Sequence, residues 1–406
     1  MPDNEEIIRL EEVFKIFGPQ PRGRAFDLAK AGVHKNEVQK QSGHVVGLSD
    51  VSFSVKKGEI FVVMGLSGSG KSTAIRTVNK LHDVTSGQVL VDGVDVQQLE
   101  GKELQAFRRE KMGMVFQHFA LFPHRNVIDN VSYGLKVQKV NRSERDAAAM
   151  RALQLVGLQP YADNVPSQLS GGMQQRVGLA RALASDPDIL LMDEAFSALD
   201  PLIRRQMQDE LMAIQSEVHK TILFITHDLN EALRIGDRVC IMKDGVVVQI
   251  GTPEEILTQP ATGYVAEFVQ DVDQGRVIKV EEVMVPAEPI HIETAFDQAL
   301  AALNESAERL VVDDSGKCVG LLTRSDLERV AKQGTQSLQS AVRTDVPVAD
   351  PSQTLNELYA EAGRGLPIAC CDENGLLIGR IDPTAVLEEL GRVEALSDAF
   401  EREVYM

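Results

Sequence analysis

The stretch Glu59-Ile60-Phe61-Val62-Val63-Met64-Gly65-Leu66-Ser67-Gly68-Ser69-Gly70-Lys71-Ser72 decides how this chain is read. Ile60 to Met64 is an unbroken apolar run, too short for a helix and rich in β-branched residues, which predicts a buried strand. The eight residues behind it fit G-x-x-x-x-G-K-[ST] at a strand-to-helix turn. Glycines there let backbone N–H groups close around phosphate oxygens, and the following helix start adds a favourable dipole. Lys71 is expected to reach the β- and γ-phosphates of ATP and Ser72 to ligate Mg²⁺. Gly65, Leu66, Ser67, Gly68, Ser69, Gly70 and Thr73 form the rest of the cradle.

Outward from that loop, Ile189 to Met192 reads as a second buried strand, ending in Asp193 and Glu194. A carboxylate at the end of a buried strand is costly unless it is paired or near a metal. Ligands of open α/β sheets bind beside the carboxyl ends of the strands. Asp193 is thus a candidate Mg²⁺ partner and Glu194 a candidate to polarise the attacking water. Taken alone, the same two acids would also serve as a capping pair at a turn. Further strands are predicted at Ile222–Ile225 and Arg238–Met242. Between about Ile7 and Phe268 such runs alternate with helical patterns, which argues for an α/β domain with a largely parallel sheet. Two segments interrupt the alternation. One, between Gly18 and Val46, carries 5 basic and 2 acidic residues and a helix-like centre. The other, about residues 118–168, reads as helical.

Length allows two or three domains in 406 residues. No stretch approaches the ~18 consecutive apolar residues that span a bilayer, and the acidic start is unlike a secretory signal, so a cytoplasmic protein is expected. The net charge of −18 disfavours nucleic acid as the main ligand. Of that charge, −13 lies from Lys279 onward, which points to a second module with a different task. An internal repeat supports this division. Leu310 to Gly320 and Ile368 to Gly379 share one pattern of apolar strand, acidic-Gly turn and apolar strand, at a spacing of about 59 residues. Cys240, Cys318, Cys370 and Cys371 sit in apolar contexts without metal-ligand spacing and are expected to be reduced core residues.

Leu169-Ser170-Gly171-Gly172-Met173-Gln174-Gln175 carries a resemblance: it is similar to the signature of ATP-binding cassette (ABC) proteins. The other elements of that family follow in its order, namely Gln117, Ser197-Ala198-Leu199-Asp200, and His227 within Ile225-Thr226-His227-Asp228. The resemblance implies an α/β P-loop NTPase cassette with a mixed sheet core and a helical subdomain, over residues 1–275. It implies that Phe17 stacks on adenine, that His227 contacts the γ-phosphate, and that Gln117 links Mg²⁺ and water to a permease. Asp200 would communicate across a head-to-tail homodimer. In that dimer Leu169, Ser170, Gly171, Gly172 and Gln174 of one copy meet the nucleotide held by the other. The reading places Ser170 to Gly172 just before a helix running from Gln174 to Ala184, whose N-terminus faces the phosphate.

A narrower likeness comes from the Asp193-to-Arg204 stretch and from the 18–46 insertion, which resemble the ATPase subunit of glycine betaine/proline and other quaternary-amine uptake systems. That implies an integral membrane permease as partner, an external substrate-binding protein acting indirectly, and a peripheral position on the cytoplasmic face of the inner membrane. The repeat resembles a tandem of cystathionine-β-synthase (CBS) domains, read as 276–335 and 336–392 with an acidic tail at 393–406. Such pairs commonly hold a nucleotide. Thr323 and Asp326 keep the contact pattern in the first copy, whereas Asp382 and Ala385 stand at those positions in the second, so one half-site at most is expected. Ligand sensing and simple dimer stabilisation are both compatible with this tail, and its clustered acids suggest gating by ionic strength. Phe119, Leu121 and Phe122 suit either a permease helix or the core of the helical subdomain. Cassettes acting on DNA have very long insertions between the two phosphate motifs, and those acting on ribosomes carry two ATPase domains. Here the span from Gly65 to Ser170 is 105 residues and a single set of motifs occurs, which favours transport.

Overall fold

The computed structural model describes residues 6–117, 119–270, 278–305, 308–334 and 337–386. The chain forms two compact units, Met1–Val269 and Gln270–Met406. The expected acidic tail at 393–406 and the Asp271–Gly275 junction lie outside the described residues.

Strands β1 (Glu6–Phe17), β2 (Val45–Lys56), β4 (Ser86–Val91) and β5 (Val94–Asp95) make an antiparallel sheet in the order β2-β1-β4-β5. Strands β3 (Ile60–Met64), β6 (Met112–Phe116), β7 (Ile189–Asp193), β8 (Thr221–Thr226), β9 (Arg238–Lys243) and β10 (Val246–Gly251) make a second sheet in the order β10-β9-β3-β8-β7-β6. All its neighbours are parallel except β9 and β10. Strands β3, β7 and β8 are buried along their whole length, as unbroken apolar runs in a parallel sheet must be when both faces are covered. Leu10, Phe53 and Val55 of the antiparallel sheet share one core with Phe61, Leu191, Ile225 and Met242 of the central sheet, and Ile75 and Val78 of the helix after β3 join it. Burying each such side chain contributes about 1.5–3 kcal/mol.

The insertion between β1 and β2 is a small folded element. Helices α1 (Arg24–Lys30) and α2 (Lys35–Ser42) put Ala25, Ala29 and Val38 against Phe14, Ile16 and Val46 of the flanking strands. Between β6 and β7 the chain is helical, with helices at Val127–Val131, Tyr133–Val137, Arg142–Leu155 and Gly171–Leu183.

In the second unit, β11 (Ile290–His291), β12 (Glu308–Val312) and β13 (Cys318–Thr323) form one three-stranded sheet. β14 (Val348–Ala349), β15 (Ile368–Cys371) and β16 (Leu377–Ile381) form another of the same topology. In space the two copies exchange their leading segments. Ile278 and Val280 pack into the core of the second sheet with Ile368 and Ile381, while Leu338 and Ala341 pack into the core of the first with Val311 and Leu327. Backbone pairs Val285–Arg380 and Arg343–Leu321 stitch the exchange symmetrically. Leu310, Leu321, Ala369 and Cys371 make a shared cluster between the sheets.

Candidate functional site

The parallel register explains why distant motifs meet. Phe116 is level with Asp193, Asp193 with Ile225, and Met64 with Thr226. The residues that follow these strands therefore emerge along one sheet edge: the phosphate loop after β3, Gln117 after β6, Glu194 after β7 and His227 after β8. This is the edge where ligands of such sheets bind.

The loop runs from Gly65 to Gly70 and opens helix α3 (Lys71–Val78). Gly65, Gly68 and Gly70 have φ of +147°, +78° and +105°, values that L side chains rarely adopt. Lys71 is buried, and its ammonium donates to Gly65 O at 2.7 Å and Leu66 O at 3.1 Å, so the loop wraps around its own lysine. Burial lowers the Lys71 pKa, with the Glu194 and Asp193 carboxylates opposing that shift. An ammonium poised among carbonyls and two carboxylates readily exchanges those partners for phosphate oxygens.

Ser72 Oγ donates to Asp193 Oδ1 at 2.9 Å, which brings a hydroxyl and a buried carboxylate together. Two hard oxygen donors at one point suit Mg²⁺, which takes one or two protein ligands and completes its shell with water and phosphate. Sequence reading missed a third participant, Arg76, whose Nη2 lies 3.3 Å from Asp193 Oδ2. Its signal is the i,i+4 spacing from Ser72, which sets both on one face of α3.

Glu194 is half-buried, and its carboxylate Oε2 lies 3.3 Å from His227 Nδ1 and 3.5 Å from Gln117 Nε2. Two of the expected residues, Gln117 and His227, thus converge on one oxygen of a third, Glu194. Its backbone is at φ +48°, a left-handed value that costs a non-glycine residue energy and is tied down by Glu194 N–H donating to Ile225 O at 3.0 Å. Phe17 ends β1 beside the loop. A Cβ on Gly47 would meet the Phe17 ring at 2.7 Å and Thr73 Cγ2 at 3.3 Å, so only glycine lets ring and helix start come this close. The ring also packs edge-on against His82 at 5.4 Å, and Lys15 lies 4.9 Å above it.

Ser170 and its neighbours stand apart. No hydrogen bond or ion pair among the described residues joins Ser170–Gln174 to the phosphate loop of the same chain. The helix here begins at Gly171, three residues before the expected Gln174, so Gly171 and Gly172 lie in its first turn. The reason is local: Ser170 acts as the N-cap, its Oγ accepting from Met173 N–H at 3.4 Å. Leu169 is buried and its carbonyl accepts from Gln174 Nε2 at 3.1 Å. A Cβ on Gly172 would meet Ile203 at 2.7 Å, which sets this turn against the start of the helix that Asp200 caps. Arg181, further along the Gly171–Leu183 helix, donates to Ala120 O at 2.6 Å and Phe119 O at 3.1 Å, tying that helix to the segment after Gln117. Phe122 packs on Tyr133 at 4.6 Å and Phe119 is half-buried, so this apolar group is partly committed to the helical subdomain.

In the second unit Thr323 caps the helix Arg324–Lys332. Its hydroxyl accepts from Asp326 N–H at 3.2 Å and donates to Asp326 Oδ2 at 2.5 Å, and Arg329 Nη2 holds the other carboxylate oxygen at 3.0 Å. Both candidate ligand groups are therefore engaged with each other. The cysteines are free thiols, with Cys318 half-buried and the other three buried.

A family model described as ABC transporter matches residues 48–197, and one described as CBS domain matches residues 280–332. The glycine betaine/carnitine transport ATP-binding protein GbuA of Listeria monocytogenes is 47% identical over 94% of this chain and 97% of its own length. The glycine betaine transport ATP-binding protein OpuAA of Bacillus subtilis is 46% identical over 94% of this chain and 92% of its own length. The chain belongs to the ABC transporter ATP-binding proteins. It is an ATP-hydrolysing transporter subunit with a CBS domain behind the cassette. The glycine betaine/proline betaine transport system ATP-binding protein ProV of Escherichia coli is 44% identical over 95% of this chain and 98% of its own. Among solved structures, a dimeric ATP-binding cassette in a post-hydrolysis state bound to ADP and Pi matches with TM-score 0.51 and 32% identity, over 61% of this chain and 98% of that one. No helix among the described residues is long and apolar enough to cross a membrane.

Proposed function

We propose that two copies of this chain clasp Mg·ATP head to tail and drive a separate permease that imports a quaternary-amine osmolyte of the glycine betaine type. The observation that carries the nucleotide chemistry is the convergence of Gln117 and His227 on one carboxylate oxygen of Glu194, beside the loop of Lys71 and the Ser72–Asp193 pair. Lys71 and the loop N–H groups hold the phosphates, and Phe17 offers its ring to the base. Ser72 and Asp193, with Gln117, would hold Mg²⁺, which when bound neutralises phosphate charge. Glu194 orients water toward the γ-phosphate, and His227 steadies both the carboxylate and the phosphate.

The separation of Ser170 from the loop of its own chain supports its use by a partner copy. The Ser170-capped helix N-terminus supplies donors and a dipole suited to a γ-phosphate. The solute class rests on relatives whose names refer to glycine betaine, carnitine and proline betaine and which align over more than nine-tenths of the chain. The subunit sits on the cytoplasmic face of the membrane, held there by the permease, with an external binding protein delivering solute. The second sheet of the tail unit is a second CBS copy. Thr323 and Asp326 offer at most one nucleotide half-site, since Asp382 in the second copy repels phosphate.

Cysteine pairs placed in the Lys71 and Ser170 loops test the dimer. Crosslinks should form between copies when Mg·ATP is present, and their absence in folded, hydrolysing protein would refute the head-to-tail clasp. Uptake of radiolabelled glycine betaine by vesicles carrying the chain and its permease tests the solute class. ATP-dependent uptake of some other solute with none of glycine betaine would refute it.

A further inference from the structure

The insertion at 18–46 reaches the phosphate loop through one side chain. Lys35, the first residue of α2, donates from Nζ to Gly68 O at 3.0 Å and pairs with Asp244 Oδ1 at 2.7 Å. Asp244 lies in the turn between β9 and β10, and His34 Nε2 stands 3.4 Å from its other oxygen. The same turn is bound to the loop and to β2 through the backbone. Gly245 N–H donates to Ser69 O at 3.0 Å, and Gly245 O accepts from Ser49 N–H at 2.8 Å.

Isolated surface ion pairs contribute little, and the Lys35 and Asp244 side chains are 23% and 35% exposed. Two observations set this pair apart. Gly68 is the exposed apex of the loop at φ +78°, and among the described residues no other hydrogen bond reaches it. The lysine is also mounted on an element with its own core, with Val38 of the same helix fully buried, so its ammonium is delivered to the apex before any nucleotide arrives.

We infer that Lys35 is a positioning residue for nucleotide binding: the insertion latches the apex of the phosphate loop to the Asp244 turn and holds the loop in the shape that accepts ATP. The inference rests on the nucleotide reading above. Lys35 bonds a carbonyl of the loop and its charge is spent on Asp244, so it acts through the loop and touches no phosphate. Without the latch, part of the binding energy of ATP goes into ordering the loop. Affinity should fall while the chemical step, which Lys35 does not touch, keeps its rate.

The test is equilibrium titration of the full chain with Mg·ATP, together with steady-state hydrolysis. Lys35→Met should weaken ATP binding about tenfold and raise KM with kcat unchanged, and Lys35→Arg should restore most of the affinity. Asp244→Asn, which keeps a residue tolerant of the left-handed turn (φ +53°), should weaken binding in the same direction. The double variant should be no worse than either single one, as expected of two residues acting through one contact. If Lys35 instead attracted phosphate directly, Asp244→Asn would free its charge and tighten binding, and that result would overturn the latch. Unchanged affinity in Lys35→Met, or a loss confined to kcat, would overturn it as well. Failure of the unsubstituted chain to bind Mg·ATP would remove the nucleotide reading and the latch together. Normal binding by that chain with an indifferent Lys35→Met removes the latch alone.

Discussion

Gly65 is the position where a single added carbon should do the most damage. Its φ of +147° lies outside the range of L residues, and an ideal Cβ there would stand 2.1 Å from Met242 O and 2.9 Å from Ser69 Oγ. Met242 cannot retreat, because β9 is paired with β3 on one side and β10 on the other. Gly65→Ala therefore combines backbone strain of about 1–3 kcal/mol with overpacking of about 1–3 kcal/mol. The sum, about 2–6 kcal/mol, is a large share of the ~5–15 kcal/mol that holds a domain together. Gly68→Ala is the matched control. Its φ is +78° and no heavy atom lies within 4 Å of the added carbon, so only the left-handed cost of about 1–2 kcal/mol applies. The chain has no tryptophan, so urea unfolding is best followed by far-ultraviolet circular dichroism, reading the midpoint of the cassette transition. Gly65→Ala should lower that midpoint clearly more than Gly68→Ala. Equal midpoints, or the reverse order, would refute the claim that contact with β9 makes glycine obligatory at Gly65.

Three further outcomes are expected. Glu194→Gln should cut single-turnover hydrolysis by about 10²–10⁴-fold while ATP binding is kept, and hydrolysis at the normal rate would remove Glu194 from its role. Burial pushes the Cys240 thiol from 9.0 up to about 12. Its neutral form therefore stabilises the cassette fully below pH 9 and progressively less as pH rises toward 12; Cys240→Ala should flatten that part of the stability profile, and an unchanged slope would contradict it. Thr323→Val should cost the tail unit about 1 kcal/mol through loss of the helix cap, read as a lower melting temperature of that unit, and a neutral effect would show that the cap contributes nothing.

Most of the candidate site's edge was legible in the residues, for a definite reason. Each motif is short and local, and each lies at the carboxyl end of a mostly apolar strand. Parallel strands in one sheet present their carboxyl ends on a common edge, so Lys71, Asp193 and Glu194 could be brought together without coordinates, while Gln117 and His227 followed from the family resemblance. The start of the signature helix was misjudged by three residues because the cap was not recognised at Ser170. Arg76 was overlooked although its i,i+4 spacing from Ser72 was in plain view.

By itself the amino-acid order determined the residues of the candidate phosphate loop, the α/β character of the cassette and the existence of a repeated tail, since these depend on periodicity and on residues adjacent in the chain. Only the tertiary structure decided that Lys35 meets Gly68 and Asp244, that Arg181 holds the carbonyls of Phe119 and Ala120, and that the two tail copies trade Ile278 and Val280 for Leu338 and Ala341. Those contacts join residues tens to hundreds of positions apart. They are set by how whole elements pack, which local propensity does not encode.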